Sequence, residues 1–465
     1  MASINLQSAG GSTLSSLAIS YQCPSSLRTD PRNPRQHKHR QLKLLAKSIR
    51  SFGFVVPILV DPDNQIIAGH ARLEAAKLIG LDRVPVIRLD HLTPAQAQAL
   101  LIADNRLSEL SSWDADLLAV HLKELAVVNL SFDIEATGFT VGEIDLQIES
   151  AGTAASKTKE DPQDRFTLAT GPAVTQVGDL WQLGDHRLYC GNALDLASYT
   201  QLMETGKAAM VITDPPYNVK IDGHVGGKGA IKHREFAMAV GEMSEEEFTA
   251  FLQTVFLQLV EHAVDGSLHF VYMDWRHAFE ILSAARRAYT SYQQLCVWAK
   301  SQAGMGSLYR SQHELAFVFK SGTAPHRNNV ELGRFGRYRT NLWQYPSIHG
   351  MRHGEEGDLL ALHPTVKPIK MIADAILDCS RRGDLVLDPF LGSGTTLLAC
   401  QRVGRFCRAI ELDPLYVDTA IRRWQAFTGE DAVLVATGQT FTQRKQAALA
   451  ALSPVTEGEV SDEQA

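Results

Sequence analysis

The 465-residue chain is 45% hydrophobic and 21% charged, proportions that exclude a wholly disordered protein. At this length two or three domains are expected, each able to bury its own core. A formal net charge of −7 removes any global argument for a polyanionic partner, so a nucleic-acid surface has to be a local patch.

Residues 1–19 are rich in Ser and Gly and are expected to be disordered. No Lys or Arg precedes Arg28 and no apolar run reaches about 18 residues, which predicts neither a signal peptide nor a membrane span and places the protein in the cytoplasm. The six cysteines are scattered without a CxxC pair, the pattern of reduced, mostly buried thiols and no metal site.

Residues 20–148 read as a small α/β domain with trailing helices. Leu42, Leu45, Ile49 and Phe52 recur at helical spacing before Gly53; VVPILVD and QIIAG flank a DPDN turn as a hairpin. HARLEAAKLI predicts a helix closed by Gly80, and RVPVIRL another strand. Thr93-Pro94 and Asp114 are good helix starts. The aperiodic stretch 149–170 reads as a linker.

From 171 to 435, LWQLGDHRLYC predicts a hairpin around Gly184-Asp185. Short apolar strands (LHFVYMD, LCVWAK, LAFVFK, LVLDPF, FCRAIELD) then alternate with helical patterns such as EEEFTAFLQTVFLQLVEHA. That alternation predicts a doubly wound, Rossmann-like sheet, so the chain as a whole is of α/β class. Residues 436–465 end in an acidic, aperiodic run and are expected to form a flexible tail.

Two stretches carry chemistry. In AAMVITDPPYNV an apolar strand meets Asp214, Pro215, Pro216 and Tyr217; the prolines stop the strand and stiffen a turn expected to expose Asp214 and Tyr217. In LVLDPFLGSGTTLLACQRVG a strand ends at Asp388-Pro389-Phe390, and Gly392 and Gly394 lead into a helix beginning at Thr395. Glycines there let the backbone approach a ligand, and the missing Lys argues against a Walker-type loop. Glu411, ending the strand FCRAIE about twenty residues on, stands where acids hold ribose hydroxyls.

With HPTVKPIKMI and AIELDPLYVDTA, these motifs resemble those of the S-adenosylmethionine-dependent DNA amino-methyltransferases, over residues of about 175–430. The order, DPPY first and glycines last, is similar to the circularly permuted beta class. The resemblance implies S-adenosylmethionine as cofactor, bound by Asp388, Pro389, Phe390, Gly392, Gly394, Thr395 and Asp413, with Glu411 holding its ribose. Lys367 and Asp214 lie beside it, and Asn192 stands where relatives carry an adenine-binding Asp.

The implied reaction is methyl transfer to N6 of adenine in DNA, the Asp at the head of the tetrapeptide leaning that way by family tendency. The Asp214 carboxylate and the Pro215 carbonyl would accept the hydrogens of a flipped-out amino group, and Tyr217 would stack on the base. N4 of cytosine, RNA as substrate, and an inert methyltransferase half on a DNA-binding protein are the alternatives.

Double-stranded DNA is the implied partner, with a homodimer and a cognate restriction nuclease as further expectations. Lys220, Lys232 and Arg234 in a glycine-rich segment after DPPY would contact DNA, as would Arg310, Arg334, Arg337 and Arg339, interleaved with aromatics in a recognition region of about 300–360. Finally, residues of about 20–110 resemble the ParB-like nuclease fold, centred on Gly69-His70-Ala71-Arg72 and Ala75-Ala76. His70-Ala71 replaces that family's usual acidic and basic residues, which argues against nucleotide binding or cleavage. Arg35, Lys38, His39, Arg40 and Lys43 are its candidate phosphate contacts.

Overall fold

The computed structural model describes residues 17–127, 132–152, 162–164, 166, 169, 171–218, 241–301, 303, 308–330, 339–346 and 366–452. The chain divides into two compact units, residues 1–154 and 155–465.

The first unit holds a four-stranded sheet with strands β1 (Ile19–Gln22), β2 (Ile58–Val60), β3 (Ile66–Ala68) and β4 (Val84–Arg88) in the order β1-β4-β2-β3. The expected hairpin is β2 paired antiparallel with β3. Its turn is held by Asp61, whose Oδ1 accepts the amides of Asp63 and Gln65, and by Asn64 at φ +59°. Helix α1 (His39–Phe52) stops at Gly53, and α2 (His70–Leu78) packs Leu73, Ala75 and Ala76 inward. A capping box between Thr93 and Gln96 opens α3 (Pro94–Glu109), and Asp114 caps α4 (Ala115–Val127). Helix α5 runs from Val141 to Gly152, so the predicted linker starts too early: Asp145 and Ile144 are buried and hold the helix in the unit.

The second unit is built on a ten-stranded sheet of order β11-β9-β10-β8-β7-β12-β13-β6-β5-β14. In chain order its elements are β5 (Leu180–Leu183), β6 (His186–Cys190), α6 (Leu196–Met203), β7 (Ala208–Thr213), α7 (Glu245–Glu261), β8 (Ala263–Met273) and α8 (Ala278–Ala288). Then come β9 (Ser291–Ala299), β10 (His313–Lys320), β11 (Leu342–Gln344), α9 (Ile369–Cys379), β12 (Leu385–Asp388) and α10 (Thr395–Val403). The last are β13 (Phe406–Glu411), α11 (Pro414–Thr428), β14 (Val433–Leu434) and α12 (Phe441–Leu452). The centre, β8-β7-β12-β13-β6, is parallel; β10, β9 and the β5/β14 edge add antiparallel pairings. Buried strand residues such as Met210, Ile212, Val386 and Ala409 pack against α9, α10 and α11 on one face, while Val211, Leu387 and Ile410 meet α7 and α8 on the other.

Helix α12 corrects the expected flexible tail. Thr440 caps it and Phe441 is buried edge-on against Trp181, 5.5 Å between ring centroids, so the Ala- and Leu-rich run is tied to the sheet. Among the described residues no helix is long and apolar enough to cross a membrane.

From β7 the chain moves to β8 on one side, and from β12 to β13 on the other. β7 and β12 are therefore neighbouring parallel strands at which the winding reverses, and ligands of open α/β sheets bind in the crevice at the carboxyl ends of such a pair. DPPY follows β7 and the glycine turn follows β12.

Candidate active site

Asp388 ends β12, buried, its Oδ1 accepting the Thr213 hydroxyl at 2.7 Å and the Phe390 amide at 3.1 Å. Burial pushes its pKa up to about 6. Gly392 (φ +56°) and Gly394 (φ +94°) need the left-handed backbone that glycine permits. A Cβ on Gly394 would lie 2.9 Å from that of Ala420, whereas a Cβ on Gly392 would meet nothing described within 4 Å. Open space thus lies over the first glycine and close helix packing behind the second.

One strand over, the Glu411 carboxylate accepts the Gly392 amide at 2.8 Å and the Asp413 amide at 2.9 Å, while burial raises its pKa to about 7. Asn192, after β6, uses its side-chain oxygen to accept the Leu194 amide, and Asp413 caps α11 through the Leu415 amide. Pro389, Phe390, Thr395, Asn192 and Asp413 are thereby gathered at one sheet edge with Asp388 and Glu411. A buried carboxylate, Asp388, and a half-buried one, Glu411, flanking an open glycine turn suit a cofactor that brings hydroxyls and positive charge.

Beyond Thr213 the DPPY turn is not the exposed feature expected. Pro215 is buried, and Asp214, Pro216 and Tyr217 are half-buried, because a cluster of polar side chains closes on them. The Tyr217 hydroxyl lies 2.5 Å from Asp214 Oδ1 and 2.5 Å from Glu314 Oε1. Lys367 Nζ donates to Asp214 Oδ2 at 2.5 Å, stands 2.6 Å from Glu314 Oε1 and lies 5.0 Å from the centroid of the Tyr272 ring. Lys300 pairs with the other Glu314 oxygen at 2.8 Å.

Burial raises Asp214, opposed by Lys367. Burial also works to raise Glu314, but Lys367 and Lys300 outweigh it and hold that carboxyl at about 2. Tyr217 is driven well above its usual value by burial and then by both acids.

Lys367 therefore stands with Asp214 of DPPY and with Glu314 of β10. Glu314, Lys300 and Tyr272 escaped sequence reading, although an acid opening the otherwise apolar run HELAFVFK was a usable signal.

Of the expected DNA contacts, Lys220, Lys232, Arg234, Arg334 and Arg337 lie outside the described residues. Arg310 is exposed beside Tyr309. Arg339 is a correction: its guanidinium is committed internally to Asp378 at 2.8 Å, Asp374 at 3.3 Å and the Tyr345 hydroxyl at 2.6 Å, stapling this segment to α9.

In the first unit Lys38, His39 and Lys43 are exposed, whereas Arg35 is paired with Glu109 at 2.9 Å. His70 Nε2 accepts the Asp30 amide at 3.3 Å.

A DNA methylase family profile matches residues 208–422, and a ParB N-terminal domain profile matches residues 11–105. Type II methyltransferase M.HpaI of Haemophilus parainfluenzae is 25% identical over 265 residues, 54% of this chain and 77% of that protein. The ParB-like nuclease domain-containing protein YnaK of Escherichia coli (strain K12) is 42% identical over 82 residues, 18% of this chain and 94% of that protein. The crystal structure of the M1.HpyAVI–SAM complex aligns at 20% identity and a TM-score of 0.38, covering 51% of this chain and 97% of that one. The chain joins a ParB-like N-terminal domain to an S-adenosylmethionine-dependent DNA methylase domain of the N6/N4 type.

Proposed function

We propose that the enzyme methylates the N6 amino group of adenine in duplex DNA. The observation that carries this reading is the Asp214 carboxylate, held at the end of β7 beside the glycine turn of β12. In the resembled family, Asp at this position goes with adenine more often than with cytosine.

S-adenosylmethionine supplies an electrophilic methyl group on its sulfonium. Phe390, Gly392, Gly394 and Thr395 would hold its methionine end near Asp388, and Glu411, Asp413 and Asn192 its nucleoside. The exocyclic amino group of a base is a poor nucleophile because its lone pair is delocalised. Asp214 and the Pro215 carbonyl would accept its two hydrogens and favour a tetrahedral nitrogen, and positioning supplies much of the acceleration. A base inside a duplex cannot reach this site, so the target must be extruded, with Tyr217 as its stacking surface. Exposed Lys38, His39 and Lys43 support phosphate contacts by the ParB-like domain.

The test is transfer of labelled methyl to duplex DNA of mixed sequence, followed by nucleoside digestion and mass detection. N6-methyladenine is expected, and Asp214→Ala is expected to lower the transfer rate about 10²- to 10³-fold while cofactor binding persists. N4-methylcytosine would overturn the choice of base; full activity in Asp214→Ala would overturn the acceptor.

A further inference from the structure

The resemblance set Lys367 beside the cofactor, but its ammonium is spent elsewhere. It is 4% exposed and sits between two carboxylates, 2.5 Å from Asp214 and 2.6 Å from Glu314. We propose that Lys367 is a positioning residue of the transfer step, keeping Asp214 ionised and aimed at the amino group, with Glu314 and Lys300 completing a charge-balanced cluster. The proposal rests on the reading of Asp214 as the amino-group acceptor.

The groups around Asp214 come from every neighbouring element. Tyr217 lies on its own turn, Lys367 just before α9, Glu314 on β10, Lys300 beyond β9, Tyr272 on β8 and Asp388 on β12. Two acids this close repel one another, and Tyr217 has a single proton to share between them. Lys367 bridges the acids and Lys300 neutralises the far oxygen of Glu314, so the two lysines offset the charges of Asp214 and Glu314. Tyr217 keeps a partner in Glu314 when Asp214 Oδ1 turns to an incoming amino hydrogen. Without Lys367, half-buried Asp214 would hold a proton more readily and lose strength as an acceptor.

The sign follows from the charges. Lys367 pulls the Asp214 pKa down more strongly than Glu314 pushes it up. Removing Lys367 raises that pKa, and since the ionised form is the active one, activity is lost at a higher pH as the solution is acidified.

The experiment measures single-turnover methyl transfer against pH in the full chain for wild type, Lys367→Met and Lys367→Arg, with S-adenosylmethionine affinity by calorimetry. In Lys367→Met the acid limb is expected to rise by about one pH unit or more, roughly tenfold in rate on the acid side, recovering toward high pH. Cofactor affinity should stay within about twofold of wild type, since the ammonium is committed to the Asp214 and Glu314 carboxylates, and Lys367→Arg should return the limb.

Should Lys367→Met melt early, Lys367→Met with Glu314→Gln removes one charge of each sign and reads the same limb, still displaced upward. An unmoved limb overturns the proposal, whether or not cofactor affinity falls. Full activity in Asp214→Ala would instead remove the acceptor reading, and this proposal with it.

Discussion

Each unit starts a helix that follows a strand from a left-handed glycine: Gly69 at φ +105° before α2, and Gly394 at φ +94° before α10. The same backbone device ends differently. In the first unit a Cβ on Gly69 would lie 2.9 Å from Nε and Nη2 of Arg72, so the chain's own guanidinium covers the turn. In the second the crowding at Gly394 comes from behind, from α11, and the space over Gly392 is open to a ligand and flanked by Glu411. A glycine box thus specifies a sharp entry into a helix; whether it is also a binding site depends on what the rest of the sequence lays across it.

The comparison breaks most readily at Gly394. A methyl group there would meet Ala420 Cβ at 2.9 Å and Cα at 3.0 Å, and helix backbone cannot swing aside. Strain from the left-handed conformation and overpacking together should cost about 2–4 kcal/mol in Gly394→Ala. Thermal melting should show a fall of roughly 10 °C, with cofactor binding lost as the turn shifts. Unchanged melting would mean that the turn is not braced by α11.

These two boxes also show what was legible in the sequence. Strand, glycine turn and helix were readable in both, because Gly and Pro punctuate the chain and apolar periodicity marks the flanking elements. So was the order of DPPY and the cofactor glycines, whereas the pairing of β7 with β12 emerged only from the sheet. What covers a turn was not readable, since it depends on side chains meeting across the fold. Glu314 stood just ahead of the expected strand LAFVFK and drew no notice, and it became part of the site only when β10 was laid beside β8. Arg339 read as a basic surface residue because Asp374 and Asp378 lie more than thirty positions away in sequence. Helix α12 was missed for a simpler reason: the acidic end of the chain dominated the reading of a segment anchored by Phe441.

The open turn can be sharpened through Glu411. Burial holds this carboxyl at about 7, and in the proposed role only its ionised form would accept hydrogens well from two ribose hydroxyls. Cofactor affinity should therefore rise with pH through neutrality and level off above it, by up to about tenfold per unit on the acid side. Glu411→Gln removes the charge, which should weaken binding by about 2 kcal/mol, roughly thirtyfold, at pH 8 and flatten the dependence. Calorimetry between pH 6 and pH 8, with the cofactor alone, separates a pH-independent wild type, which would sink the assignment, from the expected slope.

The smallest effect belongs to the covered turn. Gly69→Ala pays for a left-handed conformation, but the obstruction is a half-buried arginine side chain able to rotate away. The expected loss is about 1 kcal/mol, seen as a small shift in the melting of the ParB-like domain. Arg72→Ala in the same background should relieve the contact and return part of that loss. If Gly69→Ala proved as costly as Gly394→Ala, the obstruction in the first unit would have to be rigid. Arg72 would then be a fixed part of the domain, and the two boxes would differ in what faces them but not in how firmly they are built.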